Sequence, residues 1–137
     1  MSKQTLVDTN LIVRYLVQDH EKHARTAEKL FAACDRGEIA LLLLPEVLAE
    51  CVFVLEFFYE RPRAAIASAL QTLISSPGIE FESSGTHLDA LSRYESTKVH
   101  FVDCVVAATA SARGVPLATF DRDFRKFADV RLEFPRD

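Results

Sequence analysis

Short apolar segments alternate along this chain with longer segments of helical periodicity, and this alternation constrains the fold more than any other feature. The run IALLLL at 39–44 is apolar throughout, as expected for a parallel strand that is buried on both faces. Other strands are predicted at 4–7, 79–82, 115–120 and 130–134. Strands that alternate with helices indicate an α/β fold, in which a mainly parallel central sheet carries helices on both faces.

Helices are predicted between these strands from apolar periodicity and from residues that favour helix ends. Asn10 is a good N-cap for a helix through Val17, and Pro45 opens another because its missing N–H is not needed in a first turn. Gly37 ends an amphipathic helix over 21–36. Further helices are expected over 46–58, from Pro62 to the SSPG segment, over 86–98 and over 102–113, with a helical turn at 121–127. No linker or repeat interrupts the pattern, so a single domain over 1–137 is expected.

The composition is that of a globular protein and not of a general nucleic-acid binder. Of the 137 residues, 49% are hydrophobic, which is enough for a buried core. A net charge of −4 means that any polyanion would have to meet a local basic patch. One such patch near the C-terminus contains Arg122, Arg125, Lys126 and Arg131.

The N-terminus lacks an apolar signal segment and the longest apolar run is far too short to span a bilayer, which predicts a cytoplasmic protein without a membrane partner.

The cysteines and histidines do not form a recognisable metal site. Cys34, Cys51 and Cys104 lie in apolar surroundings, which favours small buried thiols over a disulfide or a zinc site. The histidines are scattered and lack the spacing of zinc ligands, and they are His20, His23, His87 and His100.

Acidic residues occupy places where a core or a strand end would be expected. Asp8 interrupts the apolar stretch TLVDTN, and Asp121 follows LATF in the same way. Because sites in parallel sheets form at the carboxyl ends of the strands, both carboxylates should lie on one rim if the two strands are parallel neighbours. Glu50 and Asp103 lie inside apolar helix patterns, where an acid without a partner is costly.

Each acid also has a purely local interpretation. Asp8 can be a turn residue, Asp121 an N-cap, and Asp103 a first-turn acid that the helix dipole favours. Glu46 follows Pro45 and is interpreted as a first-turn acid only, whereas Glu50 lies one turn further into the helix.

Taken together, the four acids are harder to explain locally. Two unit charges at about 4–5 Å repel by roughly 3–4 kcal/mol at an effective dielectric near 20, so a cluster needs a cation or a proton. No lysine or arginine lies in the segments LVDTN, LAEC and FVDCV. A hard divalent ion with oxygen ligands, Mg²⁺ or Mn²⁺, fits such a cluster best.

Four segments in order carry a resemblance to a known family: LVDTNLIVRYL, PEVLAECVFVL, FVDCVVAATA and LATFDRDF. Over nearly its whole length the chain resembles a PIN-domain protein of the VapC toxin type, whose fold is a three-layer α/β/α sandwich. The family's main acids map onto Asp8, Glu50, Asp103 and Asp121. The positions that support such a site map onto Asn10, Thr119 and Asp123. For Asp123 the alternatives of an N-cap or a salt bridge to Arg125 or Lys126 stay open.

The resemblance implies an endoribonuclease that depends on Mg²⁺ or Mn²⁺. Asp8 and Asp103 would be the central metal ligands, Asp121 would complete the shell, and Glu50 would bind a second ion or orient the attacking water. That water would leave 5′-phosphate and 3′-hydroxyl ends. The residues expected to contact the RNA backbone are Arg122, Arg125, Lys126 and, further away, Arg14.

The resemblance also implies protein partners, namely a cognate VapB-like antitoxin and a second copy of the chain. The segment CVFVLEFFYERP contains four aromatic residues, Phe53, Phe57, Phe58 and Tyr59. Core packing is the favoured interpretation of these side chains, and a dimer or antitoxin surface is the alternative.

Proteins of other classes share parts of this pattern. A phosphatase of the haloacid-dehalogenase type also has an aspartate after its first strand, but it needs a second one two residues later, where Asn10 stands. A receiver-like domain would need paired acids near the first strand and a lysine on a strand. A catalytically silent PIN-fold binding domain is disfavoured, because an inactive relative should have lost some of the acids.

Overall fold

The structure, a computed structural model, describes residues 3–135. Contacts between Cα atoms divide the chain into two compact units. Unit 1 runs to Ser84 and unit 2 begins at Gly85.

Unit 1 contains a parallel sheet of three strands in the order β1, β2, β3. The strands are β1 (Lys3–Leu6), β2 (Ile39–Leu42) and β3 (Ile79–Glu80). The helices of unit 1 are α1 (Thr9–Val17), α2 (Glu21–Asp35), α3 (Pro45–Phe53) and α4 (Arg63–Ser75), and a π-helical turn, Val54–Phe58, continues α3. Leu41 and Leu43 are completely buried, as the apolar run at 39–44 predicts for a central strand.

The first helix begins two residues earlier than the sequence suggested. Asp8, and not Asn10, is the N-cap of α1, because its carboxylate accepts a hydrogen bond from the Leu11 N–H. Asn10 therefore lies within the first turn, and its prediction as the N-cap was wrong. Both residue types are good N-caps, so the choice depends on where β1 ends.

Unit 2 begins with two helices and ends with a small parallel sheet. After α5 (Ser84–Ser96) and α6 (Phe101–Arg113) come β4 (Leu117–Ala118), a 3₁₀-helix at Arg122–Lys126, and β5 (Leu132–Glu133). β4 and β5 pair in parallel. Gly114 ends α6 in the left-handed conformation with a φ of 64°, as its place after the apolar pattern predicts. Tyr94, Cys104 and Ala108 are fully buried.

The α/β class and the parallel pairing of strands are confirmed, whereas the strands are shorter than predicted. Only two residues in each of the segments 79–82 and 115–120 are paired as a strand. A strand is as long as the stretch over which a neighbouring strand pairs with it, and the sequence of one segment does not contain that information. All three cysteines are free and buried, as predicted. No helix in the described part of the chain is long and apolar enough to cross a membrane.

Three of the four aromatic side chains after Cys51 lie on the surface. Phe53, Phe57 and Phe58 are 62%, 52% and 76% exposed. Core packing was therefore the wrong interpretation for these phenylalanines. The buried face of this helical segment carries Leu48, Cys51, Val52 and Leu55, and the phenylalanines lie on the other side. Tyr59 is half-buried, and its hydroxyl donates to Asp19 at 2.9 Å.

Candidate active site

Asp8 stands where β1 meets α1. The Val7 N–H donates to the Leu42 carbonyl at 3.2 Å, which carries the pairing of β1 with β2 up to the residue before Asp8. The Asp8 Oδ1 then accepts from the Leu11 N–H at 3.0 Å. Asp8 is thus a helix N-cap and not the turn residue of its local interpretation, and its carboxylate is fixed at the carboxyl end of a strand and at the positive end of a helix.

Glu50 lies on an exposed face of α3, beside the buried Cys51. Burial, with smaller contributions from the charges of Glu50 and Asp8, raises the pKa of the Cys51 thiol to about 12. Helix α1 packs against α3 within unit 1. Both carboxylates therefore raise the pKa of the same buried thiol, so their negative charges lie in the same region of unit 1.

Unit 2 brings three acids together around the start of α6. Asp103 is in the first turn of this helix and is half-buried. Burial raises the pKa of the Asp103 carboxyl above its usual value, and the charges of Asp121 and Asp123 add to the rise, against a lowering by His100. The electrostatic coupling shows that these carboxylates crowd one another.

A chain of hydrogen bonds fixes the segment that carries Asp121. The Thr119 N–H donates to the Glu133 carbonyl at 3.0 Å, which extends the pairing of β4 with β5. The Thr119 Oγ1 accepts from the Asp121 N–H at 3.0 Å, and the Asp121 Oδ1 accepts from the Asp123 N–H at 2.8 Å. Asp121 is thus the N-cap of the 3₁₀-helix, as its local interpretation holds, and Thr119 supports the backbone in front of it.

The cations that the sequence assigned to RNA are in different surroundings. Arg14 forms an ion pair with Asp19 at 3.0 Å. The guanidinium of Arg122 lies over the Phe134 ring, 4.3 Å from its centre. Arg125 and Lys126 are exposed, and the Arg125 Nε donates to the Arg122 carbonyl at 3.3 Å. The 3₁₀-helix therefore presents a basic surface next to Asp121.

Two cavities of unit 1 differ in chemistry. One, of about 200 Å³, is lined by Asp8 and Asn10 together with Leu11, Arg14, His23 and Thr26. A larger cleft of about 530 Å³ is mostly apolar, and its lining includes Tyr15, Phe31 and Leu73 but none of the predicted acids. The smaller cavity thus contains one of the predicted acids, Asp8, together with other polar side chains.

Sequence reasoning did not find two features of unit 2. Arg93 donates to both oxygens of Asp129, with 2.9 Å between its Nη1 and Oδ1. Phe120, directly before Asp121, is 81% exposed. Only its place beside a predicted site residue could have drawn attention to it.

The chemistry of the acids fits a hard divalent cation. Carboxylate oxygens are the donors that Mg²⁺ and Mn²⁺ prefer, and a cation would offset the burial of Asp103 and the charges of Asp121 and Asp123, which raise the pKa of its carboxyl. Among residues 3–135, no group of three or more His, Cys, Asp or Glu side chains is arranged to hold a metal ion. The fit therefore rests on the kind of donor and on the electrostatics.

Comparison with known proteins identifies the family. The family model for the PIN domain matches residues 5–130, and the chain therefore belongs to the PIN domain family. A VapC ribonuclease from Aquifex aeolicus (strain VF5) is 26% identical over 122 residues, which cover 88% of this chain and 90% of the relative.

One solved structure is also similar to this chain. It is that of Mycobacterium tuberculosis VapC20, described as a toxin that cleaves the sarcin–ricin loop. The identity is 25%, the match covers 92% of this chain and 98% of the other, and the TM-score is 0.41.

Proposed function

We propose that this protein is an endoribonuclease that depends on Mg²⁺ or Mn²⁺, and the toxin of a VapBC-type toxin–antitoxin pair. The observation that carries the proposal is the place of Asp103, half-buried in the first turn of α6, where burial and then the charges of Asp121 and Asp123 raise the pKa of its carboxyl. The match of the PIN domain over 5–130 and the ribonuclease from Aquifex aeolicus support it. The proposal includes a cytoplasmic location, because RNA is the substrate.

Asp8, Asp103 and Asp121 are the proposed ligands of the divalent ion, and Glu50 holds a second ion or orients the attacking water. A bound divalent ion would supply Lewis acidity and lower the pKa of a coordinated water. The side chains have their own tasks. The Thr119 Oγ1 holds the backbone of Asp121, the backbone N–H of Asp123 holds the Asp121 carboxylate, and Glu50 accepts a proton from the water.

The proposed reaction is hydrolysis of a phosphodiester bond. The water oxygen forms a bond to phosphorus, the bond from phosphorus to the 3′ oxygen breaks, and that oxygen takes up a proton. The products are a 5′-phosphate and a 3′-hydroxyl. Arg122, Arg125 and Lys126 contact the RNA backbone, since their charge lies directly after Asp121 in an otherwise acidic chain.

Two protein partners belong to the proposal, a VapB-like antitoxin and a second copy of the chain. The exposed phenylalanines Phe53, Phe57 and Phe58 form a surface that suits an apolar partner. Their rings are close, with 5.0 Å between the centres of Phe53 and Phe57.

The test is cleavage of oligoribonucleotides with Mg²⁺, with Mn²⁺ and with a chelator, followed by analysis of the product ends. We expect cleavage only with the divalent ions, and ends that a ligase joins because they carry 5′-phosphate and 3′-hydroxyl. A substrate with a 2′-deoxy group at the scissile nucleotide should still be cut, because water and not the neighbouring hydroxyl attacks. Equal cleavage in the chelator, or 2′,3′-cyclic ends, would overturn the proposal.

A further inference from the structure

Phe120 combines high exposure with a fixed place beside the acids of unit 2. At 81% exposure its ring is the most exposed large apolar side chain in the described part of the structure. A single exposed apolar residue needs no explanation by itself, so the inference rests on what surrounds this ring.

The backbone on both sides of Phe120 is held by hydrogen bonds. Thr119 is tied to β5 through Glu133, and the side chain of Thr119 accepts from the Asp121 N–H. Asp121 in turn caps the 3₁₀-helix through the Asp123 N–H. A ring on a fixed backbone loses little conformational entropy when a ligand packs on it, which favours its use in binding.

The neighbours of Phe120 indicate the chemistry of the ligand. Three exposed cations follow within one helical turn, Arg122, Arg125 and Lys126. Arg122 is held over the Phe134 ring, so its charge has a defined position. A flat apolar ring beside cations suits a ligand that has flat faces and anionic linkages, which describes an unpaired stretch of a nucleic acid.

Stacking would also strengthen RNA binding in a protein whose net charge is negative. The net charge is −4 and three carboxylates crowd the same unit, so electrostatics alone would attract RNA weakly. A base that stacks on an aromatic ring adds affinity that does not depend on charge.

We infer that Phe120 is a base-stacking residue, which holds an unpaired base of the RNA beside the carboxylates of unit 2. The inference rests on the proposed ribonuclease function and adds a substrate-binding residue to it. It predicts single-stranded RNA, or a loop, as the bound form, because a base inside a duplex has no free face.

The experiment compares Phe120→Ala, Phe120→Leu and Phe120→Trp in binding to a single-stranded oligoribonucleotide that the wild type cleaves, with the divalent ion removed. We expect Phe120→Ala to weaken binding by about tenfold, as the loss of one stacked base does, and Phe120→Trp to keep it. Phe120→Leu should fail like Phe120→Ala, because leucine is apolar but not flat. The salt dependence of binding should not change, whereas Arg122→Ala should reduce it.

Substrates with one abasic position in turn locate the base. At one position the loss caused by Phe120→Ala should disappear, because the base that stacks is already absent. Val115→Ala is the matched control, since Val115 is an exposed apolar residue of unit 2 outside the segment 119–126, and it should bind RNA like the wild type. Melting temperatures equal to that of the wild type would show that every variant is folded.

Several results would overturn the inference. These are wild-type binding by Phe120→Ala or Phe120→Leu, or an equal loss at every abasic position. A Phe120→Ala variant that binds RNA normally but loses a copurified protein partner would also overturn it and would assign the ring to that partner. Failure of the ribonuclease proposal looks different, because the wild type itself would then cleave no RNA with Mg²⁺ or Mn²⁺.

Discussion

The acids of unit 1 and those of unit 2 are held in different ways. In unit 1, Asp8 is the N-cap of α1 and Glu50 lies on an exposed face of α3. The charges of both carboxylates contribute to the raised pKa of the buried Cys51 thiol. In unit 2, Asp103 is half-buried, and burial raises the pKa of its carboxyl, with added contributions from Asp121 and Asp123, which lie on one hydrogen-bonded segment. The acid with a raised pKa therefore lies in unit 2, whereas Asp8 has a structural role as an N-cap in addition to its proposed chemistry.

Two substitutions of Asp8 distinguish its proposed role in catalysis from its role as an N-cap, and their effect on cleavage should be the largest of all. Asp8→Asn and Asp8→Ala should both reduce RNA cleavage by more than about 100-fold, the upper end for groups that merely support metal ligands. Asp8→Asn should keep the stability of the wild type, because asparagine is an equally good N-cap, whereas Asp8→Ala should lose about 1 kcal/mol. Single-turnover cleavage and thermal unfolding measure the two effects. An Asp8→Asn variant that cleaves normally would remove Asp8 from the site.

Next in size is stabilisation by divalent ions, which should depend on the crowded acids of unit 2. Mg²⁺ or Mn²⁺ should raise the melting temperature, with about 2.7 kcal/mol of stabilisation at a concentration of 100 times the dissociation constant. The shift should shrink in Asp103→Asn, which has lost a charged ligand. Sodium chloride at equal ionic strength is the control. If the salt gave the same shift as Mn²⁺, specific binding would be ruled out.

A smaller effect compares an ion pair in each unit. In unit 2 the Arg93 side chain is only 12% exposed and bridges Asp89 and Asp129, so Arg93→Ala should destabilise the protein by about 1–2 kcal/mol, a value reduced because Asp129 is half exposed. In unit 1 the exposed Arg25–Glu21 pair should contribute about 0.3–0.5 kcal/mol. Urea unfolding of Arg93→Ala and of the control Arg25→Ala measures both.

The effect of Arg93→Ala should also depend on pH. Arg93 and Ser111 hold the pKa of Asp129 below its usual value. Such a group stabilises the folded state above its unfolded pKa of about 3.9, and the stabilisation is lost as the pH falls through the folded pKa. The difference between the wild type and Arg93→Ala should therefore be full at neutral pH and shrink below about pH 4. A difference that stayed constant down to acid unfolding would contradict this assignment.

The order of strands and helices could be predicted because apolar runs and periodicity are local properties of a sequence. The strand at 39–44 and the acids after β1 and β4 were found in this way. The exact helix start was not, because Asp8 and Asn10 are equally suitable N-caps. Strand lengths depend on a partner elsewhere in the chain, as the two-residue β3 and β4 show.

The acids of the candidate site stay a prediction from the sequence, and their contacts could not be predicted from it. Asp103 and Asp121 stood out because an acid in an apolar helix and an acid after a strand are both unusual. The pairing of Asp129 with Arg93 was missed, since nothing local links residues that far apart in sequence. The exposure of Phe53 and Phe57 was missed as well, because a helix with apolar residues all round does not show from its sequence which face is buried.

The most direct test of the central claim is RNA cleavage by Asp103→Asn beside the wild type and Glu46→Gln. Glu46 is an exposed first-turn acid of α3, so Glu46→Gln removes a surface charge outside the proposed site. We expect the wild type and Glu46→Gln to retain Mg²⁺-dependent cleavage and Asp103→Asn to lose it. Without metal, Asp103→Asn should melt at or above the wild-type temperature, because a half-buried charge near other acids is gone. Wild-type cleavage by a folded Asp103→Asn would contradict the claim that these acids carry the reaction.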